Sequence, residues 1–216
     1  MPITIQDDGN DNIIDVDPYT LETGNGVIKV GGSNNVIRIA RHYSCHNMLL
    51  NISGGSSVTI EEGCVIGNLT IFACDQGRLS IGKGCGFNGA SNILLHEPGQ
   101  IILGEGCLLG GGVSIMNSDM HSIFDTASGK RINWAQDVTI GDRVWIGAQV
   151  NILKGSVIGS DSVIGTATVL AGEVPSNCVA AGNPAKIIRK NISWTYEITP
   201  KPVDRAAHGV RMFWQR

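Results

Sequence analysis

A chain of 216 residues with 42% hydrophobic side chains can bury one substantial core, which excludes general disorder. Its formal net charge of −3 excludes a global basic field for nucleic acid, and no run approaches the roughly 18 apolar residues of a membrane helix. With 29 glycines and only 5% aromatics, the composition predicts many tight turns between side chains of modest size.

In chain order, the N-terminal stretch MPITIQDDGNDNII has neither a basic start nor an apolar segment of signal-peptide length, so the expected location is cytoplasmic. The segment GVIKVGGSNNVIRIA (26–40) reads as a degenerate early coil of a repeat that becomes clearer downstream. IEEGCVIG (60–67), IGKGCGFN (81–88) and LGEGCLLG (103–110) all parallel IGDRVWIG (140–147). Their starts lie 21, 22 and 37 residues apart, so against an 18-residue coil the first two intervals carry small insertions and the last carries nineteen extra residues. Cys64, Cys85 and Cys107 each stand two residues before the main aliphatic position, the small inward slot held elsewhere by Val or Ser; free buried thiols are expected there, not disulfides or a zinc ribbon.

The extra residues are a loop over about 116–137, where the rhythm stops and polar residues crowd around His121. The loop also carries Asp119, Asp125, Lys130, Arg131 and Trp134. From Val138 the chain reads VTIGDR VWIGAQ VNILKG SVIGSD SVIGTA TVLAGE, with Ile140, Ile146, Ile152, Ile158, Ile164 and Leu170 at the third place of each block. A helix of period 3.6 would smear this pattern around its surface, whereas a six-residue unit of short strand plus corner, three sides to a turn, accounts for it. The predicted fold is therefore an all-β parallel solenoid occupying 1–190, with the loop protruding from one corner. A C-terminal extension, 191–216, is expected to pack on the end of the solenoid or on a neighbouring subunit. In VWIG, Val144 and Ile146 point inward, so Trp145 points outward. Ala148, Thr166 and Pro184 are spaced 18 apart and stack as a column of small residues, a shallow groove. From Lys186 to Arg216 seven Lys/Arg face two acids, either a solvated tail or a site for phosphates. Pro200 and Pro202 argue against one continuous helix in the extension, and Trp194, Phe213 and Trp214 argue that it folds back and packs.

The blocks VWIGAQV and SVIGTATVLAGEVPSNCVAAGNPAKIIRK resemble the hexapeptide-repeat acyltransferases, and SDMHSIFDTASGKRIN ahead of VTIGDRVWIG looks like the branch that O-acetylates bacterial surface polysaccharides, including polysialic acid capsules. The resemblance implies a left-handed parallel β-helix, a homotrimer with active sites between neighbouring subunits, and acetyl-CoA as co-substrate. It implies His121 as the catalytic histidine, a general base suited to neutral pH. Trp145 can donate its indole N–H to a developing oxyanion or wall in the acetyl group; burial in a subunit interface is the plainer alternative. The implied path of the pantetheine arm is the Ala148–Thr166 column, with Lys186 and Arg189 meeting the phosphates. Lys130 and Arg131 are candidate partners of a sugar carboxylate, and Asp119 or Asp125 of the imidazole. Arg38, Arg41 and His42 are a candidate track for a longer polymer. No Ser or Cys is placed as a nucleophile, so direct attack in a ternary complex is expected. Two other classes compete. A metal-dependent carbonic anhydrase on a related fold would need three convergent histidines, and no metal site is expected here. A non-enzymatic solenoid would show uninterrupted coils, which the loop opposes.

Overall fold

The six-residue blocks fold as the flat sides of a three-sided prism. The computed structural model describes residues 2–198; Pro200, Pro202, Phe213, Trp214 and the basic residues beyond them lie outside the described residues. One face is a sheet of eight parallel strands, Ile13–Val16, Val36–Ile39, Ser57–Ile60, Gly77–Ile81, Gly99–Leu103, Val138–Ile140, Val157–Ile158 and Glu173–Val174, one from each coil. The other two faces merge into a single sheet of fourteen strands, because Val65–Ala73 and Gly86–Leu95 run unbroken around a corner. In these long strands the inserted residues of the 21- and 22-residue intervals are absorbed, with a register shift between Phe87 and Ala90. The earliest repeat unit recognisable in the sequence is 26–40; the residues before it, inside the predicted solenoid, form a coil of their own, with Thr4–Asp7 on Val27–Val30 and Ile13–Val16 on Val36–Ile39. The polar text of that first coil hides it, since an end coil has a neighbour on one side and stays exposed. A short helix, Pro18–Thr23, interrupts it, with Asp17 accepting from the Thr20 amide at 3.1 Å and Pro18 at the first position.

The inward residues form one continuous core. Ile140, Ile146, Ile152, Ile158 and Ile164 are all buried, each worth roughly 1.5–3 kcal/mol relative to exposure. Each stacks on its counterpart one coil away, as Ile146 does on Leu109 and Ile164. Cys64, Cys85 and Cys107 are free and buried, and each thiol donates to a carbonyl one coil on: Gly82, Gly104 and Gly141. The corners repeat as strictly as the core. Arg143, Gln149, Gly155, Asp161 and Ala167, six apart, all take left-handed backbone angles with φ between 52° and 75°. That conformation costs an L-residue about 1–2 kcal/mol, so the stacked coils must enforce it. Close stacking also explains the glycines that stand two residues before Arg143, Gln149, Asp161 and Ala167: a Cβ on Gly141 would stand 2.7 Å from the Ser160 amide nitrogen of the next coil.

Candidate active site

The loop leaves the prism between the strands Val113–Met116 and Val138–Ile140, at the corner that joins those two faces. Asn117 pins its neck. The buried side chain accepts from the His96 amide at 3.2 Å and donates to the Glu97 carbonyl at 2.9 Å, while its own carbonyl accepts from Gln136 at 3.0 Å across the neck. The same corner, one coil before and one coil after, supplies two charged clamps. Glu97 takes both arms of Arg131 at 2.7 Å and accepts from the Ser118 hydroxyl. Lys154 reaches up to the Asp119 carboxylate and to the Asn133 carbonyl at 3.1 Å. Buried Asn133 ties the middle together, donating to Asp119 at 2.9 Å and to the His121 carbonyl at 2.8 Å while accepting from Ile123 at 2.7 Å and from Arg131 at 3.3 Å. These bonds stabilise the ionised acids. Arg131, then Ser118, hold the Glu97 carboxyl below its usual range, and Lys154, then Asn133, do the same for Asp119.

The network acts on the backbone around His121 and leaves its imidazole exposed. The His121 amide donates to the Asp119 carbonyl at 2.8 Å around Met120, whose φ is +66°: a γ-turn of the rare, strained kind. Strain held by surrounding structure is characteristic of functional sites. Neither candidate carboxylate bonds the ring. Asp119 is engaged by Lys154 and Asn133, and Asp125 caps its own turn, accepting from the Ser128 amide and hydroxyl at 2.7 Å. Arg131 is committed to Glu97 and stacks 4.5 Å over Trp134, which gives that tryptophan its place in the loop; Lys130 is exposed, with no ion-pair partner among the described residues.

Trp145 projects outward, 43% exposed, between Leu108 and Val163 of the adjoining coils. The next corner of that coil carries the half-buried Ala148, with the exposed Thr166 one coil on. The predicted column ends there: the following coil is two residues shorter, Ile164 pairing with Ala180, so Pro184 falls out of line into the turn before Lys186–Lys190. The strand Lys186–Lys190 turns back antiparallel on Cys178–Ala181, setting Lys186 opposite Ala181 and Arg189 opposite Val179. Residues after it return along the flank: the buried Trp194 lies against Trp145 at 6.0 Å, and the Tyr196 hydroxyl donates to the Gly106 carbonyl. Burial raises the Tyr196 phenol well above its usual value, so it stays a donor.

Residues 137–172 match the bacterial transferase hexapeptide family, described as six repeats. Over 168 residues, 77% of this chain and 68% of the relative, the sequence is 36% identical to a polysialic acid O-acetyltransferase of Neisseria meningitidis. The chain belongs to the hexapeptide-repeat O-acetyltransferases. A second relative, the polysialic acid O-acetyltransferase of Escherichia coli O1:K1 / APEC, is 36% identical over 140 residues, but the match spans 65% of this chain and 38% of the relative's length. The crystal structure of the polySia specific acetyltransferase NeuO superposes with a TM-score of 0.80 at 27% identity, covering 97% of this chain and 95% of that one. The solenoid is the left-handed parallel β-helix of these acetyltransferases.

Within this acetyltransferase chain the two leading candidates are kept apart. Successive sides of one coil are Val138–Ile140, Trp145–Ile146 and Asn151–Ile152, so the loop's corner lies opposite the face that carries Trp145. The candidate polymer track also changes. His42 is 4% exposed, with both ring nitrogens buried, and cannot touch a polymer; burial lowers its pKa to about 4, partly opposed by Asp17. Arg38 and Arg41 line a groove that also holds Asp15, Asp17, Glu61 and Glu62, an acidic surplus that disfavours a polyanion. Among the described residues no three His, Cys, Asp or Glu side chains form a metal-sized cluster, and no helix is long and apolar enough to cross a membrane. Glu97, Asn117, Asn133 and Lys154 belong to the site although no motif or spacing in the sequence singles them out. Lys154 was reachable in principle, as the occupant of the loop's corner one coil later.

Proposed function

We propose that this chain transfers acetyl from acetyl-CoA to a hydroxyl of an anionic bacterial surface polysaccharide, with polysialic acid as acceptor. The observation that carries the reading is the strained turn that presents His121, built by buried and ion-paired residues of two adjoining coils. A loop with no function has no need of such a frame. The relatives supply the reaction class and the acceptor.

In this reading His121 takes the proton of the acceptor hydroxyl as its oxygen attacks the thioester carbonyl, and returns that proton to the leaving thiolate. Trp145 donates its indole N–H to the oxyanion that forms between. Because the two residues lie on opposite sides of one prism, they meet across a subunit boundary, which a closed homotrimer supplies three times over. The pantetheine arm runs along the Ala148–Thr166 edge next to Trp145, and Lys186 and Arg189, at the end of the same edge, pair with the phosphates. Lys130 is the loop cation available for a sugar carboxylate; Arg131 supports it from its pair with Glu97. In this reading the protein works in the cytoplasm, where acetyl-CoA is available as donor.

The test is acetyl-CoA consumption with purified polysialic acid and with neutral polysaccharides as acceptors. Turnover with polysialic acid is expected. H121A should lower turnover by about 10²–10⁴-fold with the circular dichroism spectrum unchanged. A folded H121A variant with near-normal turnover would overturn the mechanism, and equal turnover with neutral polymers would overturn the acceptor.

A further inference from the structure

Taking Trp145 as part of the active site, we propose that Trp194 is its positioning residue, held in place by a reciprocal lock with Arg143. On its own strand Trp145 has the aliphatic neighbours Leu108 and Val163 and is 43% exposed, so little there fixes the plane of its ring. An indole that must aim one N–H needs its rotamer held to about 10–20°. The described end of the chain supplies that restraint: Trp194 is 9% exposed and lies 6.0 Å from Trp145 at an interplanar angle of 42°.

Trp194 is itself held from several directions. Its Nε1 donates to the Arg143 carbonyl at 2.7 Å, and Arg143 Nη2 donates back to the Trp194 carbonyl at 3.1 Å. Arg143 is fixed in turn by Asp161 of the next coil, at 3.0 Å, and by its left-handed corner conformation, φ 52°. Tyr196 packs edge-on against Trp194 at 4.8 Å and bonds Gly106 of the preceding coil. Asn177 binds the approach to this clasp twice, through the Ile192 amide at 3.0 Å and the Ile192 carbonyl at 3.1 Å. Four successive coils therefore set the position of one indole. Arg143 stands two residues before Trp145, so its carbonyl bond also steadies the backbone that leads into Trp145. Trp194 touches no reacting atom in this arrangement and acts through Trp145.

The experiment is a double-mutant cycle on the full chain with W145A, W194A and the double variant, reading kcat and KM for acetyl-CoA together with the melting temperature. W194A is expected to lower kcat/KM by about ten- to a hundredfold while Trp145 is present, and to add nothing in the W145A background. Retention of kcat/KM within about twofold in W194A, or an equal loss in both backgrounds, overturns the inference while leaving the active-site reading intact. If W145A itself keeps full activity, the reading of Trp145 fails and the inference with it. Should W194A not fold, Y196F, which removes the bond to Gly106 and keeps the ring, takes its place: a smaller loss confined to the Trp145 background supports the inference, and additive loss overturns it.

Discussion

Asn133 shows how much a single amide can organise. It is buried and uses both ends of its side chain: the NH2 group serves Asp119 and the His121 carbonyl, and the oxygen serves Ile123 and Arg131. Truncation leaves several of those groups unpaired, at about 1–3 kcal/mol for each that stays buried. N133A should therefore lower turnover by at least about tenfold, because a displacement of about 1 Å at a catalytic group can cost two orders of magnitude. The loss is confined to a loop that can open locally, so the melting temperature should fall by only a few degrees while the coils persist. Steady-state kinetics alongside thermal melting checks both halves. Nothing in RINW marks Asn133 as special in the sequence. Its importance comes from the Asp119, His121 and Ile123 backbone and side chains that the loop folds around it.

The loop as an element depends on ion pairs with the adjoining coils, and this gives it a pH dependence of definite sign. Glu97 and Asp119 have folded-state pKa values below their ordinary ones. The stability they contribute is fully present above the ordinary carboxylate range of about 4 and is lost as pH falls through the depressed values. Acidification should release the loop while the coils, held by apolar stacking, persist. Hydrogen exchange would show this as loss of protection at the Met120 and Ile123 amides, which donate to Ser118 Oγ and Asn133 Oδ1, ahead of any loss at Gly147 or Gly165. E97Q should lose that protection already at neutral pH, because Arg131 then lacks its counter-charge. The loop's existence was legible from the excess length between two repeat units. Its conformation was not, because Glu97 and Lys154 are neighbours of the loop across coils and not along the chain.

At the scale of the whole molecule, the prism separates His121 from the Trp145 face, and the proposed assembly brings them together from different subunits. Subunit mixing tests this. H121A and W145A are each expected to be nearly inactive alone, yet co-refolded trimers would contain some sites with an intact histidine from one subunit and an intact tryptophan from its neighbour. Random equal mixing should restore about a quarter of wild-type activity. No recovery in verified mixed trimers would mean that each subunit builds its site alone. The described part of the C-terminal extension is also a whole-molecule feature: it folds back along the flank of its own solenoid, with Trp194 and Tyr196 bonded to corners far upstream.

The sequence by itself determined the period, and with it the inward residues, the outward direction of Trp145, the buried free cysteines and the point at which the solenoid opens. These follow from a backbone that repeats every six residues, so that chemistry and position are tied together locally. The tertiary structure decided the rest: the first polar coil, the burial of His42, the pairing of Arg131 with Glu97, and the frame around His121. Each of these depends on which side chains stand at one corner in successive coils, or on whether a coil lies at the end of the stack. Insertions of unequal length make that register unreadable until the coils are stacked.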